Sequence, residues 1–433
     1  MISTNIKSKK IFKTLANLQF AIGLLFIIGF IIGVGTIIEQ DQPLIFYQEN
    51  YPEAKPLLGF LNWKIIAALN LNKIYNAWWF FSILLLFGCS LLACTFTTQL
   101  PSLKTFKIWK FFTRKKQFEN LNITNELYLK SSNSLAYNCN DKSYHFFRQQ
   151  KKGYAYSGLL GRVGPIIVHG SIILLLIGST IGSFQGYISQ EIVPRGEIFH
   201  VQNLTKFGNL SYISQDVSCR INDFWITYTK DQKTDQFYSD LSILDANGKE
   251  LKRKVIYVNE PLIFNNLVLY QTDWDILGLK LRLNNDKNFQ IPLKKITKNG
   301  QKFWFGSLNL FDRPDSNFTF VINNLTDNIY LYDAKGTLLT ELQTGKILDL
   351  NENTQLQVID SLTSTGLQIK SDPGIPVVYF SFLLLMVSIY VSFFSYSQIW
   401  VFENKSSVII GGKSNRAVLF FQEEFRKILK QSN

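Results

Sequence analysis

Four stretches of this chain carry no charged residue for long enough to cross a bilayer, and they constrain its fold more than any other feature. They lie between Lys13 and Glu39, Lys73 and Lys104, Arg162 and Glu191, and Asp372 and Glu403. A spanning helix needs about 20 predominantly apolar residues, and no other charge-free stretch reaches that length. Each window is dense in Ile, Leu, Phe and Gly, as in LLFIIGFIIG and SIILLLIGSTIG. One such run could be a buried core helix; four of them describe a polytopic membrane protein.

The charge then sorts by compartment. Residues 1–13 sum to +4, 104–162 to +9 and the tail from 403 to +3. The intervening 39–73 and 191–372 segments sum to −1 and −2, so a formal net charge of +13 is +16 on one side and −3 on the other. Positive charge is retained on the cytoplasmic or stromal side, which puts both termini and the 104–162 loop there and residues 191–372 opposite. The expected order is an inner N-terminal segment at 1–14, a first span at 15–38, an outer loop at 39–77 and a second span at 78–98. A basic inner loop follows at 99–162, a third span at 163–187, an outer β-rich domain at 188–373, a fourth span at 374–402 and an inner tail at 403–433.

The stretch Lys104–Phe118 interleaves bases with aromatic rings as a single-strand nucleic-acid binder does. It directly follows a span, where such a cluster meets anionic headgroups more simply, so the lipid bilayer is expected as its partner and nucleic acid is not. The N-terminal apolar run is too long for a cleaved signal peptide, and no clear transit segment precedes it. A ratio of 35 Lys to 10 Arg, with abundant Ile, Asn and Phe, suggests an AT-rich genome.

Residues 191–372 have the length of one domain and read as β-rich. Leu262, Phe264, Val268 and Tyr270 alternate around a turn at Asn265-Asn266, and Ile329–Tyr332 leads through Asp333–Gly336 into Thr337–Leu339 as a hairpin. Thr354–Val358 and Gly366–Lys370 read as further strands. Asp273-Trp274-Asp275 is acidic but belongs to a strand end, and no residue of this domain is expected to be catalytic.

The four cysteines are Cys89, Cys94, Cys139 and Cys219. Cys89 and Cys94 are separated by about 7.5 Å of helix rise, too far for a disulfide in one straight helix. No CxxC occurs, so thiol–disulfide exchange has no motif to run on.

Of three histidines, His169 lies within a span, seven residues past Arg162. An ionisable side chain at that depth is a functional candidate. A neutral imidazole there offers a lone pair to a metal, or else it hydrogen-bonds a carbonyl or hydroxyl of a neighbouring helix. At 100° per residue, Gly164, Ser171, Gly178 and Gly182 fall on the face opposite His169. Small residues so aligned let a second helix approach closely, with Gly29-x-x-x-Gly33 of the first span as the expected partner. His169 then faces the other way. His200, on the outer side, reads as structural, and His145 as solvated.

The first span opens on Leu15-Ala16-Asn17-Leu18-Gln19-Phe20-Ala21-Ile22 and closes at Gly35-Thr36-Ile37-Ile38-Glu39-Gln40, with Phe46-Tyr47 and Tyr51-Pro52 after it. Gly161-Arg162 with Gly164 and His169 marks the third span. Asn259-Glu260-Pro261-Leu262, Tyr270-Gln271-Thr272-Asp273-Trp274, Gly366-Leu367-Gln368-Ile369-Lys370 and Asp372-Pro373-Gly374 mark the segment between the third and fourth spans. In these motifs the sequence resembles the ResB/CcsB family of cytochrome c biogenesis proteins.

The resemblance implies a membrane subunit that works with a CcsA-type partner to move haem across the bilayer and attach it to apocytochromes c. It implies that His169 is a haem-iron ligand, and that haem is bound in transit. The family's tryptophan-rich WGxxWxWD motif belongs to the partner and has no match here, Trp274 included. The outer iron-gripping histidines also belong to the partner, so that role does not pass to His200. The chain is therefore expected to supply half a site and no catalytic residue. A plastid thylakoid membrane is the expected location, with a bacterial plasma membrane as the alternative. The alternative function is a membrane-anchored scaffold or sensor without haem ligation.

Overall fold

The computed structural model describes residues 10–106, 109–128, 133–213, 217–230, 234–284, 286–298, 301–309, 317–325, 328–351, 354–404 and 407–431. Lys107 and Ile108 of the basic aromatic stretch lie outside them. The described chain divides into two units, residues 1–180 with 374–433, and 181–373.

Four helices in the described residues are long and apolar enough to cross a membrane: Leu18–Ile37, Trp78–Leu103, Gly164–Gln185 and Ile375–Ser392. They are apolar all round, as a lipid-facing helix must be, because hydrocarbon offers no partner to a polar side chain or an open backbone group. Asn17 caps the first helix, its side-chain oxygen accepting from Gln19 N–H at 2.9 Å. The second helix runs as an α-helix over Trp78–Cys94, widens into a π turn at Thr95–Gln99 and continues as an α-helix over Leu100–Phe106. It therefore extends past the expected end at 98. Ser90 ties it to the segment just before the first helix by donating to the Leu15 carbonyl at 2.6 Å.

The third helix lies between the second and the fourth. Ile172, Ile173 and Leu176 pack with Phe87 and Leu91 of the second helix and Leu24 and Ile28 of the first. The small-residue face turns to the fourth: a Cβ on Gly178 would stand 2.9 Å from Val378 Cγ2, and one on Gly164 2.1 Å from Ser392 Oγ. This corrects the expected partner. Gly29 and Gly33 have nothing within 4 Å of a Cβ. The covalent path explains why: the fourth helix resumes where the Ile181–Pro373 unit ends and returns alongside the helix that leads into that unit.

The larger correction concerns the basic loop and the tail. They form one folded body with a five-stranded antiparallel sheet ordered Ile123–Leu127, Val408–Ser414, Ser397–Glu403, Lys152–Ser157, His145–Gln149. Helices Asn133–Asp141 and Val418–Lys430 cover it, burying Leu135, Cys139, Ile399, Val401, Ile410, Phe421 and Phe425 in one core. The fourth helix thus ends at Ser392, and residues 397–402, expected within the fourth span, are a strand. Absence of charge cannot tell a helix end from a buried strand, and Ile399, Trp400 and Val401 serve the sheet. Two rings of the basic stretch are also committed to packing: Trp109 stacks on Phe147 at 4.0 Å and Phe112 on Trp400 at 4.6 Å.

The Ile181–Pro373 unit is β-rich, as its alternation predicts. Strand Leu267–Leu283 pairs along its length with Thr354–Ser371, and three register shifts bend the pair. One end contributes Leu269, Leu367 and Ile369 to a core shared with Ile221, Leu241 and Ile256. The other contributes Ile276, Leu279, Leu281, Leu356 and Val358 to a second core around Trp304 and Phe320. The strands expected at Thr354–Val358 and Gly366–Lys370 are the two ends of this one long strand. The Asn265 hairpin forms as predicted, Leu262 facing Leu269 and Phe264 facing Leu267, with Asn265 left-handed at φ 51°. The Asp333–Gly336 hairpin forms too, with Gly336 at φ 80°.

Glu191 organises the loop that follows its strand. The carboxylate is 6% exposed and accepts from Gln202 N–H, Asn203 N–H, Ser189 Oγ and Asn203 Nδ2. Burial pushes its pKa up, but these four donors outweigh burial and hold it below the ordinary value. A depressed carboxylate stabilises the fold above its unfolded pKa of about 4.3, and that contribution disappears as pH falls through the folded value. Glu191→Gln is expected to lower the melting temperature of the Ile181–Pro373 unit at pH 7. The two melting curves should converge as pH drops below about 4; a constant gap at all pH values contradicts this account.

Candidate functional site

His169 is the sixth residue of the third helix, about 7.5 Å along it from Gly164. Its imidazole is half-buried and turned toward the second helix, away from the glycine face. Two side chains of the π turn receive it. Thr95 Oγ1 lies 3.0 Å from Nδ1, and Gln99 Nε2 lies 3.2 Å from Nε2.

The contacts fit a ring protonated at Nδ1. With the Thr95 hydroxyl proton on the Leu91 carbonyl, 2.8 Å away, Thr95 Oγ1 accepts from Nδ1–H and the lone pair falls on Nε2. The Gln99 carboxamide then presents its N–H to Nε2 at 3.2 Å. Gln99 Oε1 is buried without a hydrogen-bond partner.

Of the two sequence alternatives for His169, the structure shows the hydrogen bond to a hydroxyl of a neighbouring helix. The other ring nitrogen faces Gln99 Nε2, and an unprotonated nitrogen there is the form in which imidazole ligates a metal. An Nδ1–H donor fixing an Nε2 ligand is the usual outer-sphere arrangement at metal sites. Thr95 and Gln99 were not evident from the sequence reading. The available signal was their spacing: four apart at the inner end of the second helix, they share a face, at a depth matching that of His169.

The other singled-out residues lie elsewhere. His200 is exposed at the rim of a pocket of about 300 Å³ lined by Phe199, Tyr212, Phe264, Leu267 and Cys219. His145 is exposed beside Tyr156 in the inner sheet. Asp275 accepts from Trp304 Nε1 at 2.5 Å, a structural use of that acidic strand. All four cysteines are free. Burial pushes the Cys139 and Cys219 thiols up to about 12, so neither supplies the thiolate that exchange chemistry needs. Among the described residues, no three His, Cys, Asp or Glu side chains gather as a metal cage.

Together these features define a membrane protein with four apolar helices, a large β-rich domain and one intramembrane histidine held by the neighbouring helix. More particularly, the chain belongs to the ResB-like family, which it matches over residues 18–320 and 326–426. It is 54% identical over 431 residues to "Cytochrome c biogenesis protein Ccs1" of Emiliania huxleyi, covering 100% of this chain and 98% of the relative. It is similar to "Cytochrome c biogenesis protein CcsB" of Trichormus variabilis, at 44% identity over 96% of this chain and 91% of the relative. To "Cytochrome c biogenesis protein Ccs1" of Rhodomonas salina it is 41% identical, over 100% and 99% of the two chains.

Proposed function

We propose that this protein acts in cytochrome c biogenesis as a membrane subunit that carries haem across the bilayer for attachment to apocytochromes c, together with a CcsA-type partner. Relatives named for cytochrome c biogenesis, matched over nearly their full length, support the process. The observation that carries the site is the His169 imidazole, bonded at Nδ1 to Thr95 and at Nε2 to Gln99 inside an apolar helix bundle. Iron(II) and iron(III) haem take imidazole as an axial ligand, and haem is here the cargo.

The residues present fit that cargo in part. His169 would ligate the iron through Nε2, Thr95 fixes its tautomer, and the unpartnered Gln99 oxygen marks a polar spot beside it. One imidazole leaves the opposite axial position to another chain, which accords with a half-site completed by a partner.

The positive-inside bias supports an orientation with both termini and the 123–157/397–414 sheet on the stromal face. Residues 181–373 would then lie in the thylakoid lumen, where apocytochrome is met. Relatives from algae and cyanobacteria accord with that membrane.

The test in cells is covalent haem on c-type cytochromes, read by haem staining, in a strain carrying His169→Ala. The expected result is loss of the stained bands while the variant protein accumulates. Normal accumulation with normal staining would instead favour a scaffold whose histidine serves packing alone.

A further inference from the structure

We infer that Gln99 is a latch on His169: its carboxamide covers the Nε2 lone pair while no iron is bound and withdraws when iron arrives, with Thr95 holding the ring in both states. The inference rests on the haem reading above and adds to it a control element on the second helix.

A ring nitrogen with a free lone pair, buried away from water, is costly unless a donor reaches it. Water is scarce inside an apolar bundle, so the donor has to come from the protein. Gln99 Nε2, at 3.2 Å, is that donor. A neutral carboxamide suits the task. It carries no charge into the bundle, and an uncharged hydrogen bond is far weaker than a coordinate bond to iron, so the cargo displaces it.

Two features show that the closed arrangement is not a settled resting place for this side chain. Its Oε1 is buried with no hydrogen-bond partner, a penalty that ends once the carboxamide turns away. Gln99 is also the last residue of the Thr95–Gln99 π turn, a rare departure from α-helix that recurs at functional sites. Thr95 differs: its hydroxyl is bonded both to Leu91 O within its own helix and to Nδ1 of the ring. One end of the turn is thus anchored, and the other is only half satisfied.

The experiment uses the full chain in lipid nanodiscs with ferric haem as the probe. Binding is followed by stopped-flow absorbance for the native chain and for Gln99→Leu, Thr95→Val and His169→Ala. Gln99→Leu, which removes the covering donor at nearly constant volume, is expected to bind haem about two- to tenfold faster, the range one neutral hydrogen bond spans. Its final low-spin spectrum should be unchanged. Thr95→Val should bind more slowly, because the ring then divides between tautomers.

Nitrogen-15 NMR of the histidines, assigned by difference against His169→Ala, gives a readout free of haem. It should show a protonated Nδ1 and an unprotonated Nε2 in the native chain and lose that pattern in Thr95→Val. If Gln99→Leu binds at the native rate or slower while His169→Ala loses the spectrum, the latch is wrong and the ligand assignment stands. If His169→Ala keeps native binding, the ligand assignment fails and the latch fails with it. A native ring protonated at Nε2 overturns the latch whatever the haem data show.

Discussion

Haem that co-purifies with this protein and the CcsA-type partner proposed for it is expected to fall at least tenfold in His169→Ala, with loss of the bis-imidazole spectrum. Tenfold corresponds to about 1.4 kcal/mol, a modest demand on one axial ligand. The substitution has a structural cost of its own, because Thr95 and Gln99 lose the ring they face. A buried polar group left unpaired costs about 1–3 kcal/mol, so protein yield has to be measured alongside the spectrum. His169→Gly with added imidazole separates the two effects. Free imidazole entering the vacated space would restore the spectrum if the ring acts as a ligand, and would leave it unchanged if His169 only packs. Failure of rescue in a variant that accumulates normally counts against ligation.

The second large effect is expected at Gly161. A Cβ there would stand 1.8 Å from the Phe394 carbonyl oxygen, deep inside van der Waals contact with backbone that cannot rotate aside. Gly158, at φ 74°, and Gly164 make the same close approach, to the Ser395 carbonyl and to Ser392. The three glycines, three residues apart, form a seam on which the end of the fourth helix and the start of the inner sheet are laid. Arg416 closes the seam, its Nη1 donating to the Ser392 carbonyl at 2.5 Å. The Arg162 guanidinium lies 4.9 Å from the Tyr396 ring centre.

Overpacking a tight contact costs about 1–3 kcal/mol, and more where only backbone can yield. Gly161→Val should therefore abolish accumulation of the folded chain, measured as protease-resistant protein in membranes. Gly29→Ala is the matched control. It removes a flexible helical glycine with open space around it, and the expected change is within about 0.5 kcal/mol. Equal accumulation of the Gly161→Val and Gly29→Ala variants would show that the seam does not hold these elements together.

What was legible in the sequence was legible because it is written locally. A missing charge is visible without knowing any neighbour, so the four spans and their orientation bias could be read directly. Alternation about Asn265-Asn266 and about Asp333–Gly336 specifies hairpins whose strands are a few residues apart. His169 stood out because an ionisable side chain within an apolar run is itself the anomaly. The inner sheet was missed for the opposite reason. Its edge strand Ile123–Leu127 is short and mostly exposed, and its partner Val408–Ser414 is nearly 300 residues away and as apolar as the end of a span.

The sequence alone therefore determined which segments are apolar enough to enter the membrane, how charge is divided between the segments that join them and which single side chain is out of place inside the bundle. Solvation decides these matters, and solvation depends on each segment's own composition. The tertiary structure decided which helix the glycine face meets, that the basic loop and the tail are one folded sheet, and that Thr95 and Gln99 hold the two nitrogens of His169. Those depend on contacts between residues far apart in the chain, where no local pattern selects one apolar surface or one hydroxyl over another. The hydroxyl and the carboxamide that bond the two ring nitrogens of His169 come from residues 74 and 70 positions away in the chain.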